Sequence, residues 1–279
     1  MTSAPSTDHP PTTDLPTVAA LSALAYLLAT ALHEHLGHAL SCAALGGHLR
    51  ELGAFYVDCD YRAMPGAAIR FVALAGPLLS LLTGLLSFAA LRATPPQGTH
   101  RRVFLWLLGS IGLMTATGYL LFSGVTGLGD FGTSRDGLLY HAAPEGLWRG
   151  MMGVLGLAGY LLTVRVMLRS MDSLIGGAGR ERVARAQRLS LTAYLTGGVV
   201  SLLIGVLNPV GVVILLTSAA AASLGGTSAL AWGMMYLNRK KDTGLPPLIL
   251  PRSWAWIAAG IIFTVAYGLI LGPSLRPGV

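Results

Sequence analysis

Ala31-Leu32-His33-Glu34-His35-Leu36-Gly37-His38-Ala39-Leu40 lies within an apolar run from residue 18 to residue 45. Three histidines and a glutamate fall in six consecutive positions, with aliphatic residues on both sides. A soluble surface could hold such a cluster at little cost. A helix in lipid could not, because an ionisable group at membrane depth costs several kcal/mol unless it is partnered, and so marks function. How the cluster is read therefore turns on whether the surrounding run crosses a bilayer.

The remainder of the chain says that it does. Of 279 residues, 53% are hydrophobic and 11% charged, against about 25% charged in ordinary soluble domains. A crossing helix needs about 20 apolar residues, and residues 18–45, 68–91, 103–122, 147–168, 189–207 and 253–272 meet that requirement. A further apolar stretch, 209–237, follows Asn208-Pro209 and contains Gly225-Gly226. Proline ends or kinks a helix, so this stretch is expected to cross irregularly. The fold class is an all-α integral membrane protein, a polytopic bundle of about seven transmembrane helices, or six if that stretch does not cross. Gly46-Gly47 should stop the first span. The apolar and β-prone residues Ala54-Phe55-Tyr56-Val57-Asp58 predict a short β-hairpin at the membrane surface.

Residues 1–17 are rich in Thr, Pro and Ser and lack Lys and Arg. They read as a disordered tail and not as a signal peptide. Residues 18–150 then form a metal-site transmembrane core, and 151–279 add further transmembrane helices. Cys42 and Cys59 are too few for a disulfide framework. Two unrelated buried thiols are expected, with pairing across a short loop as the other option. The formal charge of +7 points to membrane orientation and a lipid bilayer partner, with no nucleic acid. Arg92, Arg101, Arg102, Arg165, Arg169, Arg180, Arg182, Arg185, Arg188, Arg239, Lys240, Lys241 and Arg252 share one face under a seven-span topology. Arg50, Arg62, Arg70, Arg135, Arg149 and Arg276 share the other, a split of thirteen against six. The positive-inside rule makes the first face cytoplasmic.

In a regular α-helix His33 and His38, five apart, point about 140° from one another and cannot grip one ion. Two geometries restore a metal site. A π-bulge, which absorbs one inserted residue and occurs mostly at functional sites, would bring His33 and His38 onto one face. A regular helix would instead use His35 and His38, with Glu34 alongside. The bulge is favoured because it keeps a base, Glu34, next to the metal. A cluster of interfacial histidines with no metal is the alternative. Two imidazoles on zinc need at least one more protein ligand and an open position for water. Asp130, in Gly127-Leu128-Gly129-Asp130-Phe131-Gly132, leaves the third span on the matching side. His33 lies fifteen residues, about 22 Å, along the first span from Val18, which puts both at similar depth. Asp between glycines is also a common turn residue. Asp136 is the reserve ligand; His141 and His48 read as solvated loop residues.

Leu32-His33-Glu34-His35-Leu36-Gly37-His38-Ala39-Leu40 with Gly46-Gly47, then Arg70-Phe71-Val72-Ala73-Leu74-Ala75-Gly76-Pro77, Gly129-Asp130 and Trp148-Arg149, resembles the site-2 protease family of intramembrane zinc metalloproteases, especially its small bacterial branch. The later match, through Tyr194-Leu195-Thr196-Gly197-Gly198 and Asn208-Pro209, is less specific. The resemblance implies that His33, His38 and Asp130 bind Zn2+ and that Glu34 is the general base. It implies a peptidase in a bacterial cell membrane that acts on a membrane protein or peptide. This chain departs from the family at His35, with three residues between Glu34 and His38 where the family has two. Asn208-Pro209 also lacks the Asp-Gly that the family places behind it. The resemblance implies a site nearer the cytoplasm, whereas the charge split puts it near the opposite face. Two other readings stand beside the peptidase. One is a membrane metalloenzyme of another reaction type, with His35 as a fourth ligand. The other is a non-catalytic relative that binds a partner helix or transports an ion.

Overall fold

The computed structural model describes residues 13–95, 99–134 and 136–276. Most of the expected tail, residues 1–12, lies outside the described residues, as does Arg135. The tail ends earlier than expected. Thr13 bridges Leu250, and helix α1, Leu15–Ala31, opens at Asp14, whose carboxylate accepts from Thr17 N at 3.1 Å and Thr17 Oγ1 at 2.7 Å. An aspartate N-cap followed by proline in the first turn is a strong start signal. The helix continues through a π-helical segment, Leu32–Ala39, into α2, Leu40–Ala44, as one 30-residue crossing. Gly46, at φ +86°, ends it.

Strands β1 (His48–Leu52) and β2 (Val57–Asp60) pair antiparallel, with a register irregularity between Leu49 and Glu51. The expected hairpin is present, but its tip dips into the bundle instead of lying on the surface. Ala54 and Phe55 are buried, and Tyr267 Oη donates to Ala54 O at 2.6 Å. Cys42 and Cys59 are joined in a disulfide, which corrects the expectation of two unrelated thiols. The glycine turn folds the hairpin back on the helix end that it follows, so residues 17 apart meet. Gly47 leaves room for the bridge: a Cβ there would lie 2.7 Å from Cys42 Sγ and 2.8 Å from Cys59 Sγ.

Helices α3 (Gly66–Ala93), α4 (Thr99–Thr126), α5 (Glu145–Ile175) and α6 (Gly179–Val206) follow. Residues 212–236 pass through α7 (Val212–Ile214), a second π-helical segment (Leu215–Gly226), α8 (Ala229–Trp232) and a 3₁₀ turn (Gly233–Tyr236), before α9 (Trp254–Leu271). Six helices among the described residues are long and apolar enough to span a membrane. The irregular stretch makes the seventh crossing. Just before it, Asn208 Nδ2 donates to Ser274 Oγ at 3.0 Å, beyond the end of α9. Just after it, Asn238 O accepts from Arg182 Nη2 at 2.7 Å, at the start of α6. Those anchors lie at opposite ends of the bundle. Helix α6 begins ten residues before the expected span, because Arg182 is fully buried and paired with Asp172 as well as with Asn238 O. The basic turns are thus helical and not loop.

Helix α1 is the central element, packed by α4, α6 and α9, so the second half of the chain flanks the first and is not a separate layer. Its core includes Val18 and Leu21 with Trp106, Met167, Leu189 and Leu230, all fully buried. Small residues set the spacing, as lipid-embedded helices require: a Cβ on Gly260 would lie 2.8 Å from Ala20 O.

Closing a loop of this length by a disulfide stabilises by about 3 kcal/mol. Cys42→Ser is therefore expected to lower the thermal midpoint in detergent, and to convert Cys59 from maleimide-inert to maleimide-reactive without prior reduction.

Candidate metal centre

The π-helical segment supplies the first two candidate ligands. Its wider turn brings residues five apart into line, and His33 and His38 end with Nε2 atoms 3.2 Å from each other. The bulged geometry favoured from the sequence is the one present. Asp130 completes the group, with Oδ2 at 3.2 Å from His33 Nε2 and Oδ1 at 3.4 Å from His38 Nε2. These three residues form a group that could hold a metal ion. Tetrahedral zinc with bonds of 2.0–2.2 Å separates its donors by about 3.3 Å, and the observed spacings match.

The rings are held from α3. His38 Nδ1 is 2.7 Å from Val72 O, and a carbonyl can only accept. Nδ1 therefore carries the proton, and Nε2 presents a lone pair. Ser80 Oγ, 2.9 Å from His33 Nδ1, is placed to accept the same proton there. Two lone pairs and a carboxylate then face one another. Asp130 Oδ2 is buried without a hydrogen-bond donor. Space for an ion comes from Gly76. A Cβ there would overlap His38 Nε2 and come within 2.8 Å of His33 Nε2. Gly37 lets α3 approach this closely, since its own Cβ would lie 2.6 Å from Gly76 Cα.

Asp130 reaches the group through a loop that only glycine permits, with Gly127 at φ +76° and Gly129 at φ +77°. Arg149 secures the preceding helix end by donating Nη2 to Val125 O at 2.6 Å and Nε to Gly124 O at 3.3 Å. Glu34 is buried. It lines a cleft of about 390 Å³ together with His38, Asp130, Tyr61, Tyr119 and Asp136. Phe55, from the hairpin tip, closes one side of that cleft.

His35 does not join the ligands. It turns toward Tyr267, ring centroids 6.3 Å apart, so the regular-helix pairing of His35 with His38 is not the geometry adopted. Asp136 sits exposed at the cleft, while His48 and His141 are exposed elsewhere. Sequence reasoning missed Val72, Ser80, Gly76 and Arg149. Val72, Gly76 and Arg149 carried signal only as motif residues without roles, in the Arg70 to Pro77 stretch and in Trp148-Arg149, and Ser80 carried none. Comparison with protein-family models, curated proteins and solved structures gave no match.

Purified protein is expected to take up one zinc per chain, read by elemental analysis. Gly76→Ala should abolish uptake while leaving the protein folded, and His35→Ala should leave uptake intact.

Proposed function

We propose that the protein is an intramembrane zinc-dependent metallopeptidase that hydrolyses peptide bonds of membrane-associated substrates. The observation that carries this reading is the convergence of His33 Nε2, His38 Nε2 and Asp130 at 3.2–3.4 Å. The group sits beside the buried carboxylate of Glu34, at a cleft within a transmembrane bundle. Two nitrogens and one carboxylate oxygen suit a catalytic zinc, which keeps a further position open. When bound, zinc supplies Lewis acidity and lowers the pKa of water held there to about 7. The chain's own residues do the rest. Val72 O and Ser80 fix the imidazole orientations. The carboxylate of Glu34 accepts a proton from the water that attacks the peptide carbonyl. It then delivers that proton to the departing amine nitrogen as the C–N bond breaks. The likeness to site-2 proteases supports the same assignment, and the π-helical turn offsets the extra residue at His35.

We place the cleft on the non-cytoplasmic side of a bacterial cell membrane. The thirteen basic residues of the first face cluster at the opposite end of the bundle, and positive charge collects in the cytoplasm. The Cys42–Cys59 bridge lies beside the cleft, and disulfides persist in oxidising compartments.

Glu34→Gln is expected to retain zinc and to lose at least 100-fold in peptide hydrolysis, the usual weight of a general base; full activity in that variant would remove the hydrolytic scheme. Alkaline phosphatase fused after residue 276 should be active and a green fluorescent protein fused there should be dark. The reverse pattern would invert the orientation.

A further inference from the structure

Amide hydrolysis drives negative charge onto the carbonyl oxygen, and enzymes meet that charge with hydrogen-bond donors already in place. The side-chain hydroxyls that line this cleft belong to Tyr56, Tyr61, Tyr119, Ser134 and Ser218. Glu34, Asp130 and Asp136 contribute carboxylates, while the Nδ1 atoms of His38 and His33 are committed to Val72 O and Ser80 Oγ. The Tyr56 hydroxyl donates to Glu51.

Tyrosines inside the bundle generally have partnered hydroxyls: Tyr26 with Thr227, Tyr160 with Gly226 O, Tyr194 with Leu224 O and Tyr267 with Ala54 O. An unpaired hydroxyl in such surroundings costs free energy, which explains the pattern. Tyr119 departs from it. Its hydroxyl makes no hydrogen bond among the described residues, and its oxygen keeps accessible surface. The ring is stacked on His33, with centroids 5.0 Å apart and planes at 24°. It lines both the cleft and the small cavity that adjoins Glu34 and His33. The candidate ligand imidazole thus locks the phenol in position at the border of the cleft.

We infer that Tyr119 is a catalytic residue whose hydroxyl donates a hydrogen bond to the carbonyl oxygen of the peptide bond being cleaved, a bond that strengthens as that oxygen gains charge. The phenol keeps its proton throughout, so the transfers between water, Glu34 and the leaving amine are unaltered. The inference rests on the metallopeptidase reading. Tyr61 also borders the cleft, but it packs against the Cys42–Cys59 cluster, whereas Tyr119 stacks on His33.

The test uses full-length zinc-loaded protein in detergent, with fluorescein-labelled casein as substrate and N-phosphoryl-leucyl-tryptophan as a mimic of the tetrahedral state. Tyr119→Phe keeps the ring stack and removes only the hydroxyl. It is expected to retain zinc and to leave KM within about twofold, while kcat and affinity for the phosphoryl dipeptide each fall by about 100-fold or more. A Tyr119→Phe protein with wild-type kcat and wild-type affinity for the mimic overturns the inference and leaves the peptidase reading standing. Loss of zinc from Tyr119→Phe also overturns it, since the residue would then serve only to support His33. A wild type that neither cleaves casein nor binds the mimic removes both readings together.

Discussion

Two imidazole nitrogens and a carboxylate, packed within 3.4 Å of one another inside a lipid-embedded bundle, are the constraint on which the surrounding structure depends. Without a cation or protons between them the three groups repel, and burial strengthens that repulsion. The fold meets it with several separate devices. A π-helical turn aligns the imidazoles, a missing side chain at Gly76 leaves a space between them, and a loop of left-handed glycines delivers the carboxylate. Backbone and hydroxyl acceptors on α3 decide which nitrogen of each ring faces inward. A π-helical turn is rare in an ordinary helix bundle and occurs mostly at functional sites.

Much of this architecture was legible in the sequence, for physical reasons that can be named. Membrane class and the count of crossings follow from runs of about 20 apolar residues, a requirement imposed by lipid. The π-helical turn follows from a mismatch: His33 and His38 cannot share a face in a regular helix, and an inserted residue has few other ways to be absorbed. Asp130 follows from depth and parity. The parts that were not legible depend on contacts between segments far apart in the chain. Ser80 lies 47 residues from His33, and nothing in the periodicity of α3 distinguishes it from Ser87, the other serine there. The meeting of Cys42 with Cys59 depends on how tightly the hairpin folds back, which spacing alone does not fix. The N-cap at Asp14 is different, since Asp14-Leu15-Pro16-Thr17 carries a start signal that tail composition obscured.

The two ends of the bundle do different work. One end carries most of the arginines and a cluster in which Asp172 pairs with buried Arg182 and with exposed Lys241, which ties the α5–α6 turn to the segment after residue 236. The other carries the hairpin, the disulfide and the ligands. Asn208 fastens the second end by joining the α6 terminus to the residues after α9, and Leu275 pairs with Leu52 on β1. The hairpin that closes one side of the cleft is therefore held from three directions: covalently through Cys59, by strand pairing through Leu52, and at its tip by Tyr267.

The π-helical turn has one more consequence, which concerns descent. A bulge of this kind takes up a single extra residue and returns the helix to its former phase, so Cys42 and the glycine stop at Gly46 face as they would in a chain one residue shorter. Deleting the codon for His35 would leave His-Glu-x-x-His on an unbroken α-helix with every downstream side chain still in place. The longer and shorter spellings are thus neighbours in sequence space, separated by one in-frame step. Searches keyed to a fixed spacing between the two histidines would pass over chains that carry the longer one.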